Sequence, residues 1–213
     1  MVAIMFEHFM WLPFLLAITV LTLSPGVDTV LVLRNSARGG RKDGFLTSFG
    51  ICLGLFAHAI ISAAGLSAIL LSSAELFNLL KYAGAAYLFW LGFQSLRSAF
   101  KGGGLQLAKA TGVSFVPASK SLREGLLSNV LNPKTVVFYM AFLPQFIDIN
   151  YSPIPQALMM ASVHFLIAMV WQGLLVLMVS KARIWLQRPA VSTTMDGATG
   201  VLLMGFGLKL GTS

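Results

Sequence analysis

The chain has 213 residues, 57% of them hydrophobic and only 10% charged, with a mean hydropathy of +0.82. A soluble domain carries about 25% charged residues, so the composition excludes that class and points to an integral membrane protein. The net charge of +8 does not imply nucleic acid, because the basic residues fall in separate connecting segments and gather on no single face.

The charge-free stretches 44–74 and 149–180 each exceed the roughly 20 apolar residues that span a bilayer. A pass along the chain predicts six spans, at 8–33, 44–71, 75–97, 123–147, 154–180 and 193–211. Glu7 stands just before the first, where a signal peptide would be basic, and no small-residue cleavage site follows, so the segment reads as a membrane helix. The single Cys52 lies in an apolar run and forms no internal disulfide.

The connecting segments alternate in basic residues. Arg34, Arg38, Arg41 and Lys42 follow the first span. Arg97, Lys101, Lys109, Lys120 and Arg123 surround the third connection, and Lys181, Arg183 and Arg188 the fifth. Together these are 12 of the 15 Lys and Arg. The positive-inside rule then places the odd loops in the cytoplasm and both termini outside. Lys120 and Gly102-Gly103-Gly104 mark 100–120 as a cytoplasmic linker between two three-helix repeats, 1–99 and 121–213.

Leu23-Ser24-Pro25-Gly26 in the first span is matched by Leu131-Asn132-Pro133-Lys134 in the fourth, the second proline following the first at an offset of 108 residues. Proline removes a backbone donor and clashes with the preceding turn, so both helices are expected to break. Non-helical backbone at membrane depth is tolerated only in protein or beside a water-filled cavity. In the predicted topology the two broken helices run in opposite directions, as in the inverted repeats of many secondary transporters. His58 follows the first proline by 33 residues and His164 follows the second by 31, each in the next apolar helix.

The fold class is therefore all-α, with about six transmembrane helices in two inverted repeats and Pro-broken first and fourth helices. Candidate binding or coupling residues are Ser24, Pro25, Gly26, Asp28, Asn35, His58, Asn132, Pro133, Lys134 and His164. Asp28 is the one acid well inside a predicted span. It could bind a substrate ammonium, carry a coupling proton, or cap the half-helix that restarts after Pro25. Ser24, Asp28 and Asn35 stand at i, i+4 and i+11, one helical face if the kink is small. Lys134 could take a substrate carboxylate, neutralise Asp28, or snorkel to the surface. The histidines suit a proton relay or interhelical packing. Gly50-x-x-x-Gly54 and the stripe Gly54, His58, Ser62, Gly65 favour close helix approach. No phosphate-binding loop, metal-ligand cluster or nucleophile elbow occurs, so no cofactor, metal or enzymatic activity is expected.

The ordered set of motifs resembles the LysE/RhtB family of bacterial amino-acid exporters over nearly the full length. It comprises Leu23-Ser24-Pro25-Gly26-Val27-Asp28, the basic run Arg38-Gly39-Gly40-Arg41-Lys42-Asp43-Gly44, Tyr82–Gly92, Asn132-Pro133-Lys134 and Phe142-Leu143-Pro144-Gln145-Phe146. The resemblance implies efflux of amino acids such as threonine, homoserine or leucine, driven by proton antiport. The expected partners are the amino acid, protons and the bilayer; glycine-rich faces suit a homodimer and intrachain packing equally. A passive channel or ion permease on the same architecture is the alternative.

Overall fold

The computed structural model describes residues 9–72, 74–101, 115–179 and 188–212. Among these the chain is helical, with no strand. In order the helices are α1 (Trp11–Leu23), α2 (Val27–Ser72), α3 (Ala74–Phe100), α4 (Ala118–Val130), α5 (Pro133–Phe142) with a short 3₁₀ turn (Leu143–Phe146), α6 (Pro153–Leu177) and α7 (Pro189–Thr212). Each of the six predicted intervals is helical over most of its described residues. The Gly102-Gly103-Gly104 run lies outside the described residues, as does the side chain of Lys81.

Both proline words interrupt their helices. α1 ends at Leu23, Ser24 is extended with ψ 117°, and helix resumes at Val27. At the second word α4 stops at Val130, and Pro133 takes the first position of α5. Proline is favoured there, because its fixed φ suits the helix and its missing N–H was an orphan in any case. Asn132 caps the new helix by accepting the Lys134 N–H at 3.1 Å. The two segments meet at a 53° bend.

The basic connection between the first two spans is helical apart from one residue. Arg and Lys are good helix formers, so nothing in residues 34–43 except glycine opposes helix. Gly40 supplies the break with φ 74°, a left-handed backbone that glycine adopts freely. The chain folds back there. Asn35 Nδ2 donates to Thr47 Oγ1 at 2.9 Å, although 12 residues along a straight helix span roughly 18 Å. α2 thus has two arms, 27–39 and 41–72.

The longer arm crosses α4 closely and also packs on α6, while α3 lies along α7. Glycine permits the first of these crossings. A Cβ at Gly50 would collide with the Leu122 carbonyl, and one at Gly125 with the Thr47 carbonyl. The main core joins Phe14, Ile18 and Leu21 of α1 to Leu55 and Ala59 of α2, Phe138 and Phe142 of α5, and Met160 and Ala161 of α6. This core holds the two broken helices against each other.

By length and composition, Val27–Gly65 and Pro153–Leu177 are apolar enough to cross a membrane, the first through its longer arm because the chain folds back at Gly40. The bent α4–α5 pair makes a third span if it is counted as one. α1, with 13 residues, is shorter than a spanning helix, so it reaches bilayer depth only in series with the first arm of α2.

Candidate functional site

Each proline leaves one carbonyl without its helical partner, and each such carbonyl is taken by a side chain from the other half of the chain. Leu21 O would accept from residue 25, which is proline. Instead Lys134 Nζ donates to Leu21 O at 3.4 Å and to Ser24 O at 3.3 Å. Asn129 O would accept from residue 133, again proline. It is reached at 3.0 Å by His58 Nε2, which must donate because a carbonyl only accepts, and by the Asn132 N–H at 3.0 Å. The two breaks are therefore adjacent in space.

Asp28 stands in the first turn of α2, where amide dipoles favour an anion. Its carboxylate crosses to the second break. Oδ1 accepts from Ser128 Oγ at 2.7 Å, and Oδ2 from Asn129 Nδ2 at 2.9 Å and Asn132 Nδ2 at 3.1 Å. Three neutral donors thus hold an acid that is only partly buried. Asn129 and Asn132 are both buried polar residues of the kind that must find partners.

A cleft opens between these groups, enclosing about 520 Å³ with the space at its mouth counted in. Of the residues singled out in the sequence, Ser24, Gly26, Asp28, Asn132, Lys134 and His164 line it. Pro25 and Pro133 are at the breaks but not on the wall, and His58 stands behind Asn129. Thr22, Thr29, Asn129, Thr135, Trp171 and Gln172 complete the polar lining. An acid and a base thus share one cleft.

His164 is held between two hydroxyls, Thr22 Oγ1 at 3.0 Å and Tyr139 Oη at 2.9 Å. The direction of these bonds can be read from their ends. The single Thr22 proton goes to Ile18 O at 2.7 Å, so Thr22 accepts from His164 Nε2–H. Nδ1 is then an acceptor, and Tyr139 donates to it. Tyr139 is 1% exposed and stacks on the His164 ring, with centroids 5.8 Å apart at 11°. Its carbonyl in turn accepts from Ser62 Oγ at 2.9 Å.

Asn35 belongs elsewhere. The helical face proposed for Ser24, Asp28 and Asn35 does not form, because Ser24 precedes the break. Asn35 Nδ2 also donates to Glu124 Oε2 at 2.9 Å. Glu124 pairs with Arg34 and Arg38 at 3.1 Å each, and Arg38 pairs with Asp43 at 2.9 Å. Ser121 Oγ donates to Asp43 Oδ1 at 2.6 Å. This network ties the fold-back at Gly40 to the start of α4. Sequence reading missed it, and also missed Tyr139, Ser128 and Thr22, whose partners lie 25 to 142 residues away. Among the described residues no three His, Cys, Asp or Glu side chains gather as a metal site.

Several known membrane proteins are similar to this chain along most of its length. A family model described as LysE type translocator matches residues 19–213. An uncharacterized membrane protein, YrhP, of Bacillus subtilis is 36% identical over 91% of this chain and 94% of its own. The homoserine/homoserine lactone efflux protein of Salmonella typhimurium is 29% identical over 95% of this chain and 96% of its own. A leucine efflux protein of an Enterobacter species is 29% identical over 89% of each. No solved structure matches. The names of the family and of these relatives indicate a membrane transporter and not an enzyme, and the chain belongs to the LysE type translocator family.

Proposed function

We propose that this protein is a secondary active exporter of neutral amino acids or close derivatives, such as threonine, homoserine or leucine, working by proton antiport across the bacterial inner membrane. The observation that carries the reading is the cleft in which Asp28 and Lys134, from opposite proline breaks, face one space. A zwitterion needs an acceptor for its ammonium and a donor for its carboxylate, and these two side chains supply both signs. The substrate ammonium adds to the donors on the Asp28 carboxylate, and the carboxylate draws on the Lys134 ammonium.

The rest of the proposal follows the sequence pattern. Six transmembrane helices form two inverted repeats, 1–99 and 121–213, joined by a cytoplasmic linker at 100–120, with both termini periplasmic. Rocking of the repeats about the breaks exposes the cleft alternately to each side. Asp28 carries the coupling proton, Pro25, Gly26 and Pro133 open the backbone, and Ser24 and Asn132 contact substrate. His58 and His164 set the polarity around the cleft, and Asn35 steadies the cytoplasmic end.

The test is counterflow in proteoliposomes with a panel of labelled neutral amino acids, with and without a pH gradient. Exchange of at least one amino acid, accelerated by an inward proton gradient, is the expected result. No exchange and no response to the gradient sinks the reading. Uncoupled flux without exchange would favour a passive channel.

A further inference from the structure

Four buried side-chain atoms among the described residues have no hydrogen-bond partner: Ser48 Oγ, Asn129 Oδ1, Trp171 Nε1 and Gln172 Oε1. Three of them belong to residues that line the cleft. Asn129 Oδ1 lies against Gly54, 2.6 Å from where a Cβ would stand. The remaining two, Trp171 Nε1 and Gln172 Oε1, are neighbours on α6. Gln172 is only 7% exposed, so its amide is withdrawn from both solvent and lipid. Buried polar groups in folded proteins nearly always find partners, and here two orphans of opposite polarity belong to adjacent residues that line the cleft.

The two atoms differ in kind. The indole N–H only donates, and the amide oxygen only accepts. A hydroxyl does both, whereas a methyl group in the same place satisfies neither. Asp28 and Lys134 supply the two charges that the ammonium and carboxylate of a zwitterion require. That leaves Trp171 and Gln172 to meet the side chain.

We infer that Trp171 and Gln172 form a side-chain recognition subsite that selects substrates bearing a hydroxyl or similar hydrogen-bonding group over aliphatic ones of the same shape. The inference rests on the proposed transport of neutral amino acids and narrows it to a substrate class. Sites that bond a substrate hydroxyl discriminate strongly against analogues lacking it, because the buried partners are then left unpaired.

The experiment compares counterflow of labelled homoserine with that of norvaline, in which a methyl replaces the hydroxyl. The wild-type protein is expected to prefer homoserine by roughly tenfold or more. Trp171→Phe keeps an aromatic ring and removes the donor; Gln172→Met keeps the length and removes the acceptor. Each is expected to lower the homoserine-to-norvaline ratio roughly tenfold, with norvaline exchange still measurable. Equal exchange of the two amino acids by the wild type overturns the subsite while leaving amino-acid transport standing. So does an unchanged ratio in both variants, or loss of both substrates in both, which assigns these side chains a structural role. Failure of the wild type to exchange any amino acid overturns the transport reading, and the subsite with it.

Discussion

His58 and Lys134 do the same work for opposite breaks. Each donates to the carbonyl four residues before a proline, and each comes from the half of the chain that does not contain that proline. Neither contact is visible in a helical wheel, yet both follow from one fact about proline. It cannot supply the N–H that closes the preceding turn. In a membrane the orphaned carbonyl finds no water, so a side chain must reach it.

The two caps should differ in weight. Asn129 O keeps the Asn132 N–H at 3.0 Å when His58 is removed, whereas Leu21 O loses its side-chain donor outright with Lys134. Lys134→Met is therefore expected to cost about 1–3 kcal/mol, and His58→Leu less, with His58→Gln milder still because it retains a donor. Thermal unfolding of the purified variants in detergent ranks them. Equal losses for Lys134→Met and His58→Leu would contradict the capping account.

Asp28→Asn tests the charge in the cleft. The variant keeps the size of the side chain but turns one carboxylate oxygen into a donor facing Ser128, Asn129 and Asn132, all of which already donate. Unless Ser128 rotates its hydroxyl proton and accepts, at least one of the three must then turn away. Flux driven by a pH gradient is expected to fall at least tenfold, since roughly 1.4 kcal/mol at the site already gives that factor. Unchanged pH-driven transport together with normal exchange removes Asp28 from the coupling role.

The parts of this arrangement that were legible in the sequence are those governed by local chemistry. Pro25 and Pro133 break helices whatever surrounds them, and Gly50-x-x-x-Gly54 does face a close crossing. What failed was periodicity carried across a break. Asn35 was grouped with Ser24 and Asp28 by counting turns through Pro25, but it is bonded to Thr47 and Glu124. The basic run 34–43 looked like a loop because its charges dominate the pattern, although only Gly40 leaves the helix. Tyr139 gave no signal at all. It sits in an aromatic stretch with Phe138 and Phe142, and nothing local marks its hydroxyl as the one that meets His164.

Tyr139→Phe probes the direction of the hydrogen bonds at His164. The present arrangement fixes the proton on Nε2, with Thr22 accepting and Tyr139 donating to Nδ1. Removing the phenol leaves Nδ1 as a buried acceptor without a donor, at an expected cost of about 1–3 kcal/mol in thermal stability. Nitrogen-15 spectra of labelled His164 should report the Nε2–H tautomer in the parent protein. An Nδ1–H signal in the parent protein would show that the chain of bonds runs the other way.

The glycine stripe of α2 offers a final test that separates packing from site. Gly54, His58, Ser62 and Gly65 share one face, but their surroundings differ. A Cβ at Gly54 would stand 2.6 Å from Asn129 Oδ1 and 2.9 Å from Asn129 Cβ, while one at Gly65 meets nothing within 4 Å. Alanine favours helix over glycine by up to about 1 kcal/mol, so Gly65→Ala is expected to be neutral or mildly stabilising. Gly54→Ala gains the same propensity but must push Asn129 aside, and Asn129 is a donor to Asp28. Overpacking of this kind costs about 1–3 kcal/mol, and here it also disturbs the acid in the cleft. Transport measured at equal amounts of folded protein should therefore fall for Gly54→Ala and hold for Gly65→Ala. Equal activity of the two variants would mean that Asn129 can shift without consequence, and that its bond to Asp28 is not part of the site.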